Sequence, residues 1–334
     1  MKTRRLGRSG PEVSAVGLGC MAMSGMYGPA QETQSIATIH AALDAGITLL
    51  DTGDFYGMGH NELLLRDALR GRNRERVFIQ VKFGAQRDPT GAFIGFDARP
   101  AAVKTALAYT LERLGTDYVD LYQPSRLDRS VPIEETMGAI ADMVRAGYVR
   151  SIGLSEMGVH TIRRAHAVHP ITALQIEYSL MSRSLEAEIL PAARELGIGI
   201  TAYSVLSRGL LGGWGNKKLT ARDIRNRFPR YQSENLQGNL RLVETLATLS
   251  REKGATPAQL ATAWVLSRGE DIIPLLGART PEQLKDSLGA LDLVLTQDDL
   301  RKIERAVPAD QVHGTRYEAA QMTALDSERS SART

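Results

Sequence analysis

One unit recurs along this chain of 334 residues: a stretch with helical periodicity, then a glycine, then at once an apolar strand. Asp44-Ala45-Gly46-Ile47, Arg113-Leu114-Gly115-Thr116, Arg145-Ala146-Gly147-Tyr148 and Glu195-Leu196-Gly197-Ile198 are four instances. Glycine just past a helix accepts the left-handed backbone that ends it. Connections this short are those of α/β units. Eight strands are expected, near Val16–Leu18, Leu49–Thr52, Val77–Lys82, Tyr118–Gln123, Val149–Leu154, Ala173–Ile176, Gly199–Tyr203 and Ile272–Leu275. The spacing predicts helices between them over Glu32–Ala45, Asn61–Leu69, Pro100–Leu114, Ile133–Ala146, Val159–Val168 and Leu185–Leu196. Further helices are predicted near Leu240–Lys253, Pro257–Ser267 and Thr280–Leu288.

Eight parallel βα units argue for a closed barrel rather than an open, doubly wound sheet. The expected fold is α/β, a (β/α)8 TIM barrel with an N-terminal β-hairpin and extra C-terminal helices. Thr3–Arg5 and Glu12–Ser14 flank Gly7-Arg8-Ser9-Gly10 and form the hairpin, which plugs the barrel bottom. No linker divides the chain, so residues 1–334 are expected to form one domain, with a polar, mobile tail from about residue 318. A long loop opens at Gly209-Leu210-Leu211-Gly212-Gly213-Trp214-Gly215 and runs to about Gln237.

Composition narrows the function. Basic and acidic side chains number 41 and 38, and no basic run carries interleaved aromatics, which argues against nucleic acid as a partner. No apolar run reaches the ~18 residues of a membrane span. Cys20 is the only cysteine, so no intramolecular disulfide forms. The N-terminus lacks an apolar signal core. A cytoplasmic protein is expected, its oligomeric state open.

Chemistry in a barrel of this kind sits at the C-terminal ends of the strands. Those ends carry Asp51, Lys82, Ser125, Ser155 with Glu156, Gln175, Ser204 and Gly277. Tyr56 follows Asp51 within Asp51-Thr52-Gly53-Asp54-Phe55-Tyr56-Gly57. A tyrosine titrates near ~10, and a nearby cation favours its phenolate and lowers that value. Lys82 would supply the charge and Asp51 would hold the lysine. Asp51 and Lys82 could instead be a structural ion pair, or Lys82 a Schiff-base nucleophile. Gly17-Leu18-Gly19-Cys20-Met21-Ala22 matches a dinucleotide fingerprint in form, but Ser24-Gly25-Met26-Tyr27-Gly28-Pro29 is a poor helix start. His166 and His169 have no evident third partner for a metal, and no metal is expected.

Several motifs together resemble the aldo-keto reductase family. They are Asp-Thr-x-x-x-Tyr-Gly at 51–57, Asn61-Glu62, Val81-Lys82-Phe83-Gly84, Asp120-Leu121-Tyr122-Gln123, Ile152-Gly153-Leu154-Ser155 and Pro274 through Gly277-Ala278-Arg279. The likeness runs from Gly17-Leu18-Gly19 to Arg316-Tyr317. It implies a (β/α)8 barrel that uses NADPH/NADP+ to reduce aldehydes or ketones reversibly, with Tyr56 as proton donor, Lys82 lowering its pKa and Asp51 pairing with Lys82. The family's fourth catalytic position usually holds histidine; here it is Ser125. Small carbonyl compounds are the implied substrates. A nonenzymatic, nucleotide-binding regulatory subunit is the other role open to such a chain.

For the cofactor, the resemblance implies Gly19, Met21 and Asp51, with Ser155 and Gln175 on the carboxamide and Tyr203 stacked on the ring. Glu156 stands where an asparagine is common. Ser204, Leu206, Ser207, Arg208 and Gly209 would clasp the pyrophosphate. Gly277, Ala278, Arg279 and Gln283 would take the 2′-phosphate at a helix start, and Ser287 stands where an adenine-binding asparagine is common. Met23, Tyr27, Phe55, Phe83, Phe96, Trp214 and Tyr317 are candidates for the substrate pocket.

Overall fold

The computed structural model describes residues 1–213, 215, 218–221 and 223–329. Eight parallel strands close into a barrel in sequential order: β1 Gly17–Gly19, β2 Leu49–Gly53, β3 Phe78–Phe83, β4 Val119–Pro124, β5 Val149–Ser155, β6 Ile171–Glu177, β7 Gly199–Tyr203 and β8 Ile272–Gly277. Around them lie α1 Glu32–Asp44, α2 His60–Leu69, α3 Pro100–Leu114, α4 Ile133–Arg145, α5 Val159–Val168, α6 Ile189–Leu196, α7 Ser233–Glu252, α8 Pro257–Leu266 and α9 Pro281–Leu288. α10 Gln297–Ala306 and α11 Ala319–Ala324 are additions at the C-terminal end. The four helix-stopping glycines all have left-handed backbone, with φ of 87°, 64°, 86° and 73° at Gly46, Gly115, Gly147 and Gly197. Thr256 and Gln259 form a capping box that starts α8, as Thr296 and Asp299 do for α10.

Two-residue alternation along the strands explains the interior. Leu49, Phe78, Leu121, Ala173, Ile273 and Leu275 form an apolar floor with Leu6 and Val13 of the N-terminal hairpin, which plugs the bottom as expected. One pleat higher on the same faces, β2 carries Asp51, β3 carries Gln80, β4 carries Gln123 and β6 carries Gln175. The floor is therefore apolar and the mouth polar. Gly153 is required at this level: a Cβ there would meet Leu121 Cδ2 at 2.5 Å and Gln123 Oε1 at 2.7 Å. Residues of the opposite parity face the helices and join the outer core.

Three features differ from expectation. Leu185–Leu196 is not one helix: a turn of 3₁₀ helix at Ser184–Glu186 precedes α6, which starts at Ile189 with Pro191 in its first turn. A short antiparallel hairpin, Ala85–Arg87 with Phe93–Phe96, follows β3. The polar C-terminal segment is docked rather than loose, through the last described residues. Asp326 Oδ2 accepts the Gly158 N–H at 2.8 Å, and the Ser327 N–H donates to the Glu156 carbonyl at 3.1 Å. No helix among the described residues is long and apolar enough to cross a membrane.

Candidate active site

Asp51 and Lys82 face each other across β2 and β3 at the barrel mouth, each 4% exposed. Lys82 Nζ donates to Asp51 Oδ1 at 2.6 Å. The same oxygen accepts from Gln175 Nε2 at 2.6 Å and Gln80 Nε2 at 3.1 Å. Gln80 also donates to Thr201 Oγ1 at 3.3 Å. Its position could have been found from alternation, since it precedes Lys82 by two on one strand face. The bond from Lys82 Nζ to Asp51 ties up the amine that Schiff-base chemistry would need free.

Tyr56 lies in the turn after β2. Its N–H donates to the Gly53 carbonyl at 3.0 Å, and its carbonyl accepts the Asn61 N–H at 3.2 Å. Asn61 in turn accepts from Thr52 Oγ1 at 2.7 Å and donates to the Cys20 carbonyl at 2.9 Å, tying the turn to β1 and β2. The Phe55 ring braces the Tyr56 ring edge-on, with centroids 4.8 Å apart. Lys82 Nζ stands 5.0 Å from the Tyr56 ring centroid.

The electrostatics correct one expectation. Burial pushes the Tyr56 phenol well above the ordinary tyrosine value, Asp51 and Tyr27 add to the rise, and Arg126 opposes it. The phenol is held protonated rather than made acidic. Burial likewise lowers Lys82, against the pull of Asp51.

Ser125 follows β4, its N–H donating to the Phe83 carbonyl at 2.8 Å. The Ser125 and Ser155 hydroxyls and both amide atoms of Gln123 are buried without a hydrogen-bond partner among the described residues. Each such atom costs about 1–3 kcal/mol unless something satisfies it. Ser155 Oγ is therefore open to a polar ligand group. Gln175 fits less simply, because its amide nitrogen is engaged by Asp51. The formal fingerprint Gly17–Ala22 opens no long helix, only a 3₁₀ turn at Met21–Ser24, with Gly19 and Met21 half-buried.

An ionic network that sequence reasoning missed occupies the mouth between β5 and β7. Arg316 holds Glu156 with two bonds, Nη1–Oε1 at 2.8 Å and Nη2–Oε2 at 2.6 Å. Tyr203 Oη donates to Glu156 Oε1 at 2.8 Å and lies 2.9 Å from Tyr317 Oη. Burial alone would raise the Glu156 carboxyl, but Arg316, Arg126 and Ser327 hold it far below the usual carboxylate range. Glu177 is depressed in the same way, its burial outweighed by Arg208, Arg316 and Arg230. Only the tertiary fold brings Arg316 to Glu156, 160 residues away in sequence.

The loop after β7 has positive φ at Ser204, Ser207, Arg208 and Gly209, 53°, 47°, 56° and 104°. Non-glycine residues adopt such backbone rarely, and it clusters at functional sites. Leu206 packs on the core. Arg208 departs from expectation: its side chain turns inward to Glu177 at 2.9 Å, under the Phe228 and Tyr317 rings, rather than outward as an anion clasp. Across the loop, Arg279 donates to the Tyr27 carbonyl at 3.3 Å, and its own N–H donates to Gln283 Oε1 at 2.9 Å. Thr280 Oγ1 caps α9 at the Gln283 N–H. Gly277 is exposed, while Ala278 and Ser287 are buried. Arg225, paired with Asp223 at 2.6 Å, adds a cation on this side that the sequence did not single out.

The candidate pocket residues divide. Phe55 and Tyr317 lie at the mouth. Met23, 1% exposed, and Phe83, 0% exposed and stacked on Tyr122 at 4.4 Å, belong to the outer core and cannot line a pocket. Outward strand parity buries Phe83 against the helices. Tyr27 sits on the Arg279 side, its ring 5.3 Å from Arg225 Cζ. Phe96 packs at a tilt against Phe93 in the hairpin after β3, and Trp214 lies outside the described residues.

The aldo/keto reductase family model matches residues 15–308. A Glycine max protein named "Probable aldo-keto reductase 1" is 46% identical over 316 residues, 94% of this chain and 91% of that protein. Among solved structures, the glycerol dehydrogenase AKR11B4 from Gluconobacter oxydans superposes with a TM-score of 0.82 at 28% identity, covering 91% of this chain and 94% of that one. The holo form of the aldo-keto reductase AKR11C1 from Bacillus halodurans gives 0.77 at 28% identity, covering 92% and 97%. The barrel carries the architecture of those proteins, and this chain belongs to the aldo/keto reductase family, whose chemistry is carbonyl oxidoreduction.

Proposed function

We propose that this chain is an NADP(H)-dependent oxidoreductase of the cytoplasm that interconverts aldehydes or ketones with alcohols, with Tyr56 as the proton donor. The observation that carries this reading is the buried Asp51–Lys82 pair set 5.0 Å from the Tyr56 ring at the C-terminal mouth of the barrel.

A bound nicotinamide cofactor would supply the hydride for the carbonyl carbon. Tyr56 gives its proton to the carbonyl oxygen, so the C=O double bond becomes an alcohol and the phenol becomes phenolate. Burial keeps the phenol protonated beforehand, so the donor is loaded at neutral pH. The charge of Lys82 acts once the proton departs, when it faces a phenolate instead of a neutral ring. An interaction stronger in the transition state than in the resting state is what lowers a barrier. Gln80 and Gln175 hold Asp51 in place for Lys82. Oxidation of an alcohol runs the same steps in reverse.

Ser155 offers an unsatisfied hydroxyl to the carboxamide, and Gln175 stands beside it. Tyr203 would offer a ring face, and the backbone of Ser204, Leu206, Ser207 and Gly209 would hold the pyrophosphate. Arg279 and the start of α9 suit the 2′-phosphate, since a helix N-terminus and a guanidinium both attract anions.

Tyr56→Phe tests the role. A general acid contributes ~10²–10⁴-fold, so kcat should fall on that scale while NADPH binding, read by fluorescence, stays within about twofold. A variant that keeps more than half of the wild-type kcat with chemistry rate-limiting removes Tyr56 from the mechanism.

A further inference from the structure

Arg126 follows Ser125 at the end of β4, half-buried at the barrel mouth. Its Nη1 donates to the Ser125 carbonyl at 2.6 Å and its Nη2 to Tyr317 Oη at 3.3 Å. Four other arginines of the mouth are each matched by a carboxylate: Arg208 to Glu177 at 2.9 Å, Arg316 to Glu156 at 2.6 Å, Arg230 to Glu177 at 3.6 Å and Arg225 to Asp223 at 2.6 Å. Among the described residues, no carboxylate lies within 4.0 Å of Arg126. Glu156, whose charge reaches it, is already gripped on both oxygens by Arg316. Lys82 is neutralised by Asp51. Among the described residues Arg126 therefore stands at the mouth without a direct counter-charge, near enough to Tyr56 for its field to be felt there.

A guanidinium presents a rigid fork of donors that matches a carboxylate in two parallel bonds. Among the described residues its partners are a backbone carbonyl and the Tyr317 side chain, through a long contact to the hydroxyl and a ring 5.9 Å from Cζ, so most of the fork is left for a ligand. The cofactor phosphates are not that ligand. Arg279 and α9 lie after β8, and β4 stands across the eight-stranded barrel from β8. A lone guanidinium carries one positive charge, so a single negative charge is the better match. Ser125 matters too, because a side chain this small does not screen Arg126 from Tyr56.

Resting on the function proposed above, we propose that Arg126 anchors the substrate and that the preferred substrates are carbonyl compounds bearing a carboxylate a few atoms from the C=O group. The guanidinium holds the carboxylate while Tyr56 addresses the carbonyl oxygen. Arg126 is thus a specificity-determining residue and takes no part in the proton or hydride transfer.

The test uses 2-, 3- and 4-carboxybenzaldehyde and their methyl esters, which differ in charge but little in shape. NADPH oxidation gives kcat and KM for wild type, Arg126→Gln and Arg126→Lys, with thermal melts to check folding. At least one acid should exceed its ester in kcat/KM by about tenfold or more. Arg126→Gln should lower kcat/KM for that acid by about ten- to a hundredfold, the range of charge-assisted bonds. The loss should fall chiefly in KM, with the ester within about twofold, and Arg126→Lys should recover part of it. Wild type that treats acid and ester alike, or an Arg126→Gln variant that loses both equally, overturns the proposal. Benzoate binding to the NADP+-loaded protein, followed by calorimetry, gives a readout apart from turnover. If no carbonyl compound is reduced yet benzoate binds wild type and not Arg126→Gln, the anchor stands and the oxidoreductase reading fails. If benzoate binds both equally or neither, the anchor fails.

Discussion

Arg316→Met probes how the mouth is held together. Arg316 makes two short bonds to Glu156, one to Glu328 at 2.8 Å and a longer one to Glu177 at 3.4 Å. Glu177 keeps Arg208 and Arg230 when Arg316 is lost, but Glu156 keeps only the Tyr203 and Ser327 hydroxyls and the Glu177 N–H. Glu156 is 0% exposed, so it becomes an unpaired buried carboxylate. Breaking a buried pair from one side costs about 3–5 kcal/mol. With an unfolding entropy of about 2.1 cal/mol/K per residue, 334 residues give roughly 0.7 kcal/mol/K. The expected fall in Tm near neutral pH is then about 4–7 °C. The pH dependence has a definite sign. The Glu156 carboxyl is depressed in the folded protein, so the pair's contribution is present above the unfolded value of ~4.3 and is lost as pH falls through the folded value. Without Arg316, burial raises the carboxyl instead, and the variant regains stability by protonating it. The gap between the two melting curves should therefore narrow from pH 7 toward pH 4.5. Scanning calorimetry across that range is the assay. A Tm change below about 1 °C, or a gap that stays constant with pH, refutes the account. Arg316→Met combined with Glu156→Gln should recover much of the loss, since no unpaired charge remains.

Arg279→Ala should weaken NADPH by about ten- to a hundredfold, the ~1.5–3 kcal/mol of charged hydrogen bonds, with NADH changed little; equal weakening of both, read by fluorescence titration, removes Arg279 from the 2′-phosphate. Ser125→His should raise kcat/KM for a small neutral aldehyde by about tenfold and lower it for the best bulky substrate. A single oxyanion donor can supply 10²–10³ in kcat when ideally placed, but this pocket is not shaped around a ring; parallel changes in both substrate classes would rule out Ser125 as the element that sets the pocket. Asp54 is pushed up to about 7 by burial and by the charge of Glu62. Because that value lies above the unfolded ~3.9, its contribution is fully present below about pH 4 and is lost as pH rises through about 7, a change on the order of 2–4 kcal/mol. Asp54→Asn should flatten wild-type stability between pH 4 and 7 in urea titrations, and an unchanged slope would assign the dependence elsewhere.

The sequence by itself determined the barrel. Helix-stopping glycines and short apolar strands are local signals, governed by φ preferences and by alternation, so all eight strands and the hairpin could be placed from them. The Asp51, Tyr56 and Lys82 set was legible because each residue stands at a strand end or the turn after it, and the barrel brings those ends together. Alternation groups the residues of each strand into two faces, and the tertiary structure decided which face turned in. Parity sends Phe83 to the outer core and Gln80 to Asp51, though neither differs locally from its neighbours. It also decided the charge balance. Arg316 reaches Glu156 across 160 residues, and Arg208 turns in to Glu177, because burial forces charges in a low-dielectric mouth to find partners wherever the chain returns. The direction of the Tyr56 shift belongs to the same class. From sequence the nearest named charge was Lys82, but desolvation depends on everything packed around the ring, and only the folded chain shows that burial, with Asp51 and Tyr27, outweighs the opposing charge of Arg126.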